Sequence, residues 1–154
     1  MATPYQKVYD SFLAKVKEDE WTDLSEIDYY IEDWCALLHS ALAFFKFPRF
    51  DTTLDDENSC FPNADLTSEE IEILANLMKQ EWLDRIINSW DQVKVMYDER
   101  DFSPANMVAQ LIKLSDATYK KTRILQKNYS RSITKNGMKN PFDYTRFGGS
   151  QEWL

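Results

Sequence analysis

Histidine occurs once in the 154 residues, cysteine twice, glycine three times and proline five times. Each scarcity removes a class of protein. One histidine leaves little material for a multi-ligand metal centre or a catalytic triad, and Cys35 and Cys60 lack paired metal-ligand spacing. Two cysteines also make no disulfide framework, so a reducing or neutral compartment is the simplest expectation. All three glycines (Gly137, Gly148, Gly149) lie near the C-terminal end, which argues against a glycine-cradled nucleotide loop in the body of the chain. So few glycines and prolines also disfavour a turn-rich β-sandwich. No apolar run follows Lys7 that would read as a signal peptide, and no stretch approaches the roughly 18 apolar residues of a membrane span. A soluble chain with no membrane partner is expected.

What is present is apolar mass and uneven charge. Hydrophobic residues make up 44% and aromatics 14%, enough for one domain with its own core. Acids outnumber bases 26 to 18, for a net charge of −8. Residues 1–112 carry 9 bases against 23 acids, whereas residues 113–154 carry 9 against 3. Between Glu18 and Asp33 stand eight acids and no base, a segment expected to face solvent or a charged channel. An acidic body with a basic end suits head-to-tail association or docking on a charged partner.

Four helices are expected. The first opens with Thr3 as cap and Pro4 at the first helical position, and Val8, Phe12 and Val16 recur on one face to about Glu18. The second starts at Ser25 and buries Ile27, Ile31, Trp34, Leu38, Ala41, Leu42 and Phe45, with Pro48 as its outer limit. The third opens on the capping box Thr67-Ser68-Glu69-Glu70. Its stripe is Ile71, Leu74, Met78, Trp82, Ile86, Trp90, Val93 and Tyr97, widened by Leu77, Leu83, Ile87 and Met96. It should span roughly 30 residues, about 45 Å, and touch more than one neighbour, with Trp82 and Trp90 largely buried. A short link, Asp98 to Phe102, predicts an antiparallel fourth helix. That helix starts at Ser103-Pro104 and carries Val108, Leu111, Ile112, Ser115, Tyr119, Ile124, Leu125, Tyr129 and Ile133. Its last turns, rich in Lys120, Lys121, Arg123, Lys127 and Arg131, are expected to protrude.

Two stretches are irregular. In 47–62, Phe50, Thr52 and Leu54 alternate, Asp55-Asp56-Glu57-Asn58 reads as a turn, and Ser59-Cys60-Phe61 could return, so a short β-hairpin is expected there. The tail, 134–154, holds the glycines together with Met138, Phe142, Tyr144, Phe147, Trp153 and Leu154. A plain linker carries few such groups, so the tail reads as an arm that orders on a partner. The expected class is therefore all-α: a four-helix bundle over 1–133 with long third and fourth helices, a short hairpin between helices two and three, and an extended C-terminal arm over 134–154.

Candidate chemistry is thin. Cys35 and His39 stand one helical turn apart with Glu32 on the same side, which invites a zinc reading. The chain offers no second histidine, and a small apolar cysteine beside a satisfied histidine is the simpler account, so no metal and no cofactor are expected. Cys60 with His39 could be imagined as a hydrolase nucleophile and base, but nothing nearby marks an oxyanion hole. The pairs Asp55-Asp56 and Glu69-Glu70 read as a solvated turn and a favourable helix start rather than a glycosidase dyad. No enzyme is expected. The basic fourth helix lacks a helix-turn-helix spacing or a stacking platform, which disfavours sequence-specific DNA binding.

Several runs carry a resemblance. They are Phe45-Lys46-Phe47-Pro48-Arg49, Leu66-Thr67-Ser68-Glu69-Glu70-Ile71-Glu72-Ile73-Leu74-Ala75, Met78-Lys79-Gln80-Glu81-Trp82-Leu83, Asp101-Phe102-Ser103-Pro104-Ala105-Asn106, Tyr129-Ser130-Arg131-Ser132 and Pro141-Phe142-Asp143-Tyr144. In this order the chain resembles, from about Tyr29 to Tyr144, the small helical head–tail connector (adaptor, neck) proteins of tailed bacteriophages. The resemblance implies a virion protein, assembled in the host cytoplasm into a ring, commonly a dodecamer, below the portal. Its implied partners are the portal, neighbouring copies, the next neck or tail protein, and DNA passing through the channel without sequence-specific binding. By analogy Phe142, Tyr144, Arg146 and Phe147 are the candidate partner-binding residues. The alternative is a helical oligomer that binds nucleic acid in phage DNA packaging or regulation.

Overall fold

Thr67 and Glu70 close the expected capping box in both directions. The Glu70 N–H donates to Thr67 Oγ1 (3.3 Å), and the Thr67 N–H donates to Glu70 Oε2 (2.7 Å). From this start the stripe Ile71, Leu74 and Met78 winds into the central helix. The computed structural model describes residues 1–16, 21, 24–94 and 102–131. Within them the order is β1 (Thr3–Pro4), α1 (Tyr5–Leu13), a 3₁₀ turn (Leu24–Glu26), α2 (Ile27–Ala43), β2 (Cys60–Phe61), α3 (Ser68–Lys94) and α4 (Phe102–Arg131). The fold is a helical bundle with two long helices and a short antiparallel hairpin between α2 and α3, as expected. Helix α3 packs against α1, α2 and α4 alike. Accordingly Ile73 through Met78 are buried on every side, Asn76 included.

The core lies among α1, α2 and the first half of α3. Tyr5, Val8, Tyr9 and Phe12 of α1 meet Tyr30, Trp34, Leu37, Leu38 and Ala41 of α2 over Ile73, Leu74 and Met78 of α3. Aromatic rings pack by edge or tilt: Tyr9 against Trp34 at 5.7 Å, Phe12 against Trp21 at 5.7 Å, Tyr5 against Phe61 at 5.4 Å. Fully burying one such side chain contributes on the order of 1.5–3 kcal/mol.

Several local expectations are corrected. Thr3 is not a helix cap. Its buried hydroxyl donates to the Ala64 carbonyl and accepts from the Leu66 N–H, both at 2.9 Å. Thr3 and Pro4 thereby form β1, antiparallel to β2 in register Thr3↔Phe61 and Pro4↔Cys60, and α1 starts only at Tyr5 and ends at Leu13. The hairpin inside 47–62 narrows to one bridge, Asp55↔Cys60, closed by two 3.0 Å backbone hydrogen bonds; the alternating Phe50–Leu54 stretch is not a strand. In α2 Trp34, Leu38 and Ala41, with Phe45 just beyond its end, are buried as expected, but Tyr30 and Leu37 point inward as well while Ile27 and Ile31 are 36% and 37% exposed. Trp82 and Trp90 are half-buried; Trp82 packs at the rim of the core, 6.4 Å from the Trp21 ring.

Helix α4 runs antiparallel to α3: Ser115 meets Gln80 and Asp84, and Tyr129 meets Glu70. Its last turns do not protrude. Tyr129 is buried, its hydroxyl donates to Glu70 Oε1 (2.8 Å) and accepts from the Arg49 N–H (3.0 Å), and the Arg49 guanidinium sits 4.2 Å from its ring centre. One glutamate thus caps α3 and anchors the far end of α4. The Asp98-to-Phe102 link, the side chains of Val93, Met96, Tyr97, Ser103 and Pro104, Ile133, and the whole arm 134–154 lie outside the described residues.

Candidate interaction surface

The expected partner-binding residues Phe142, Tyr144, Arg146 and Phe147 lie outside the described residues; within the bundle the exposed surface of interest is on the fourth helix. Helix α4 determines it. Its inward positions fall at seven-residue spacing: Val108, Ser115, Thr122 and Tyr129 form one row, and Leu111, Thr118 and Leu125 the other. Two such rows facing a partner helix make a coiled-coil seam. The middle of this seam is polar and buried, and hydrogen bonds hold several of its groups, although Gln80 Oε1 is buried without a partner. Thr122 Oγ1 donates to the Thr118 carbonyl (2.8 Å), Gln80 Nε2 donates to Ser115 Oγ (2.7 Å), and Gln126 Oε1 accepts from the Lys46 N–H (2.6 Å).

Five further apolar residues of α4 are turned outward. Met107 and Leu114 stand seven residues apart on one flank of the seam, Ile112 and Tyr119 seven apart on the other, and Ile124 lies on the outermost side. Tyr119 is 55% and Ile124 58% exposed. Beside Tyr119 an open groove of about 580 Å³ runs between α3 and α4. Phe44, Phe47 and Leu77 line its apolar part, with Gln80 and Lys127 among its polar groups. Phe47 holds a left-handed backbone (φ 55°), a conformation that costs a bulky residue about 1–3 kcal/mol and survives only where its surroundings fix it.

Charge is partitioned across this surface. Lys113, Lys120, Lys121, Arg123, Lys127 and Arg131 line the exposed side of α4. Burial, then Lys121 and Lys15, pull Lys79 below the usual lysine range, which places three cations near one another with Glu72 as counter-charge, 2.9 Å from Lys15. Of the acidic segment, Glu26, Asp28 and Glu32 are exposed. Asp33 does have a base, the Arg85 guanidinium at 2.6 Å.

A second cluster lies on the opposite side of α2. Cys35 and His39 are brought together as their spacing implies, but the third member is Asp56 rather than Glu32. His39 Nε2 lies 3.0 Å from both carboxylate oxygens, and the Cys35 thiol donates to Asp56 Oδ1 at 3.7 Å. The carboxylate, not the imidazole, stands between thiol and histidine, the reverse of a nucleophile–base–acid relay. Burial and the Asp56 charge push the Cys35 thiol up. His39 turns to Asp56, and Cys60 lies in β2 bridged to Asp55, so the imagined Cys60–His39 pair finds no support. Sequence reading missed Asp56 because the Asp55-Asp56 pair carries an ordinary turn signal and its partners lie 17 and 21 residues away.

No protein-family model matches the chain, and neither a curated protein nor a solved structure matches it. Among the described residues, no helix is long and apolar enough to cross a membrane.

Proposed function

We propose that the chain is a structural virion protein: an adaptor ring between the portal and the tail or neck, docked on the portal through the arm 134–154 and enclosing a channel for DNA. The observation that carries this reading is the pair of apolar flanks on α4, at seven-residue spacing on either side of a seam already filled by α3. A cyclic ring needs two different faces on each subunit, one for each neighbour. Two flanks on one helix, uncovered among the described residues, meet that need with a second copy as occupant. An acidic body and a basic end favour the same head-to-tail contact. Phe142, Tyr144 and Phe147 would fill portal pockets, and Arg146 would clamp a carboxylate. The reading assigns no catalytic step and no resident cofactor.

The test mixes the full chain with portal-bearing heads that lack connectors. The wild type attaches as rings; the triple variant Phe142→Ala, Tyr144→Ala, Phe147→Ala keeps its helical spectrum and fails to attach. Unimpaired attachment of the triple variant would refute docking through the arm.

The grouping of Lys15, Lys79 and Lys121 favours a second reading, a helical oligomer that binds nucleic acid in packaging or regulation. Tight duplex binding that falls steeply with salt would establish it; retention only at very low salt would return the argument to the ring.

A further inference from the structure

Side chains from two elements converge where α2 passes the turn between Asp55 and Cys60. Because Cys35 and His39 are four residues apart, α2 presents Sγ and Nε2 on one face. The Asp55↔Cys60 bridge closes a tight turn that sets Asp56 against them, and the ligand atoms of all three lie within 4.8 Å of one another. Independently of the adaptor reading, we propose that Cys35, His39 and Asp56 form a site for a divalent transition ion of the zinc class, with one further position open to water.

The geometry matches that class of ion. Ligand bonds of about 2.0–2.3 Å in a tetrahedron put donor atoms roughly 3.3–3.6 Å apart. The separations here, 3.0 Å for nitrogen to oxygen and 3.7 Å for sulfur to oxygen, bracket that value. A thiolate and a carboxylate together neutralise a divalent charge, and the mixed sulfur–nitrogen–oxygen set excludes magnesium and calcium, which prefer oxygen alone.

Two buried tyrosines of α1 stand behind the ligands. The Tyr5 hydroxyl donates to Asp56 Oδ1 at 2.8 Å, fixing the carboxylate. The Tyr9 hydroxyl is buried without a nitrogen or oxygen partner and faces the Cys35 sulfur. A buried hydroxyl left in that state asks for an acceptor. A metal-bound thiolate is one, whereas a neutral thiol is a poor one. Outer groups of this kind orient ligands and are part of metal sites generally. On loading, the Cys35 S–H bond breaks and its proton passes to solvent, His39 binds as neutral imidazole, and the His39–Asp56 contact opens to admit the ion. The ion would then tie α2, the 55–60 turn and, through the tyrosines, α1.

The experiment titrates the reduced, metal-free full chain with cobalt(II), then displaces it with zinc(II). The expected result is one cobalt per chain with a thiolate-to-cobalt charge-transfer band. Cys35→Ser abolishes the band, His39→Gln and Asp56→Asn each weaken zinc binding at least tenfold, and Cys60→Ser binds as the wild type does. His39 and Asp56 are exposed, so those two variants report on binding in a folded chain. Absence of the band in the wild type, its survival in Cys35→Ser, or undiminished zinc affinity in either of the other two variants would overturn the proposal.

Discussion

The two contacts of α3 are built differently. Towards α1 and α2 it meets rings and aliphatic groups: Tyr5, Tyr9, Phe12, Trp34, Leu37 and Leu38 enclose Ile73, Leu74 and Met78. Towards α4 it meets the polar Ser115, Thr118 and Thr122 between Val108 and Tyr129, while Ile112, Leu114, Tyr119 and Ile124 of α4 face away. The first contact is held by burial, which is non-directional and large. The second adds hydrogen bonds, from Gln80 to Ser115 and from Tyr129 to Glu70, whose net contributions are about 0.5–1.5 kcal/mol each but which fix register. One side of α3 therefore makes the domain stable. The other holds in place a helix whose apolar surface is left for something else.

Substitutions on each side should separate these roles. Phe12→Ala, in the burial-driven contact, should cost about 3–5 kcal/mol by urea unfolding. A loss below about 1 kcal/mol would mean that the aromatic cluster is not the stabilising core. Tyr129→Phe removes a hydroxyl that serves both buried Glu70 and the Arg49 N–H, and should cost about 1.5–3 kcal/mol in the same assay. Asp56 supplies a smaller, pH-dependent part. The Tyr5 hydroxyl, opposed by desolvation but helped by His39, holds its carboxyl below the usual range. Its folded pKa is depressed, so its contribution is complete above the ordinary carboxylate pKa near 3.9 and disappears as pH falls through the folded value. Melting temperatures taken from pH 6 to pH 2 should therefore fall less in Asp56→Asn than in the wild type, by an amount worth under about 1 kcal/mol. An identical fall in both would show that the Tyr5–Asp56–His39 contact is energetically silent. Least of all should Tyr119→Gln with Ile124→Gln alter unfolding, by no more than about 0.5 kcal/mol. The same double variant should fail to form rings in native mass spectrometry. Normal rings would leave the outward apolar face without a role.

Legibility followed distance along the chain. The capping box was readable because Thr67 and Glu70 are partners three residues apart. Thr3-Pro4 carried the same local signature as a helix start, yet partners at Ala64 and Leu66 made it a strand. No local rule contains that contact. In α2 the stripe was legible from Trp34 through Leu38 and Ala41 to Phe45 but not in the first turns, where Tyr30 rather than Ile27 or Ile31 points inward. In α4 the expected stripe holds at Val108, Ser115 and Tyr129 and fails at Ile112, Tyr119 and Ile124, which face away. Of the seven-residue row Val108, Ser115, Thr122, Tyr129, the expected stripe misses only the polar Thr122. The Cys35–His39 half of the metal cluster was legible as an i, i+4 pair; Asp56 reached it only through the fold.

Electron microscopy of a virion neck, at a resolution that distinguishes side chains, tests the central claim most directly. The account predicts a ring of this chain immediately below the portal, with α4 flanks of adjacent copies in contact and Phe142, Tyr144 and Phe147 seated on the portal. Density for the chain elsewhere in the particle, or a neck built without it, would contradict the account.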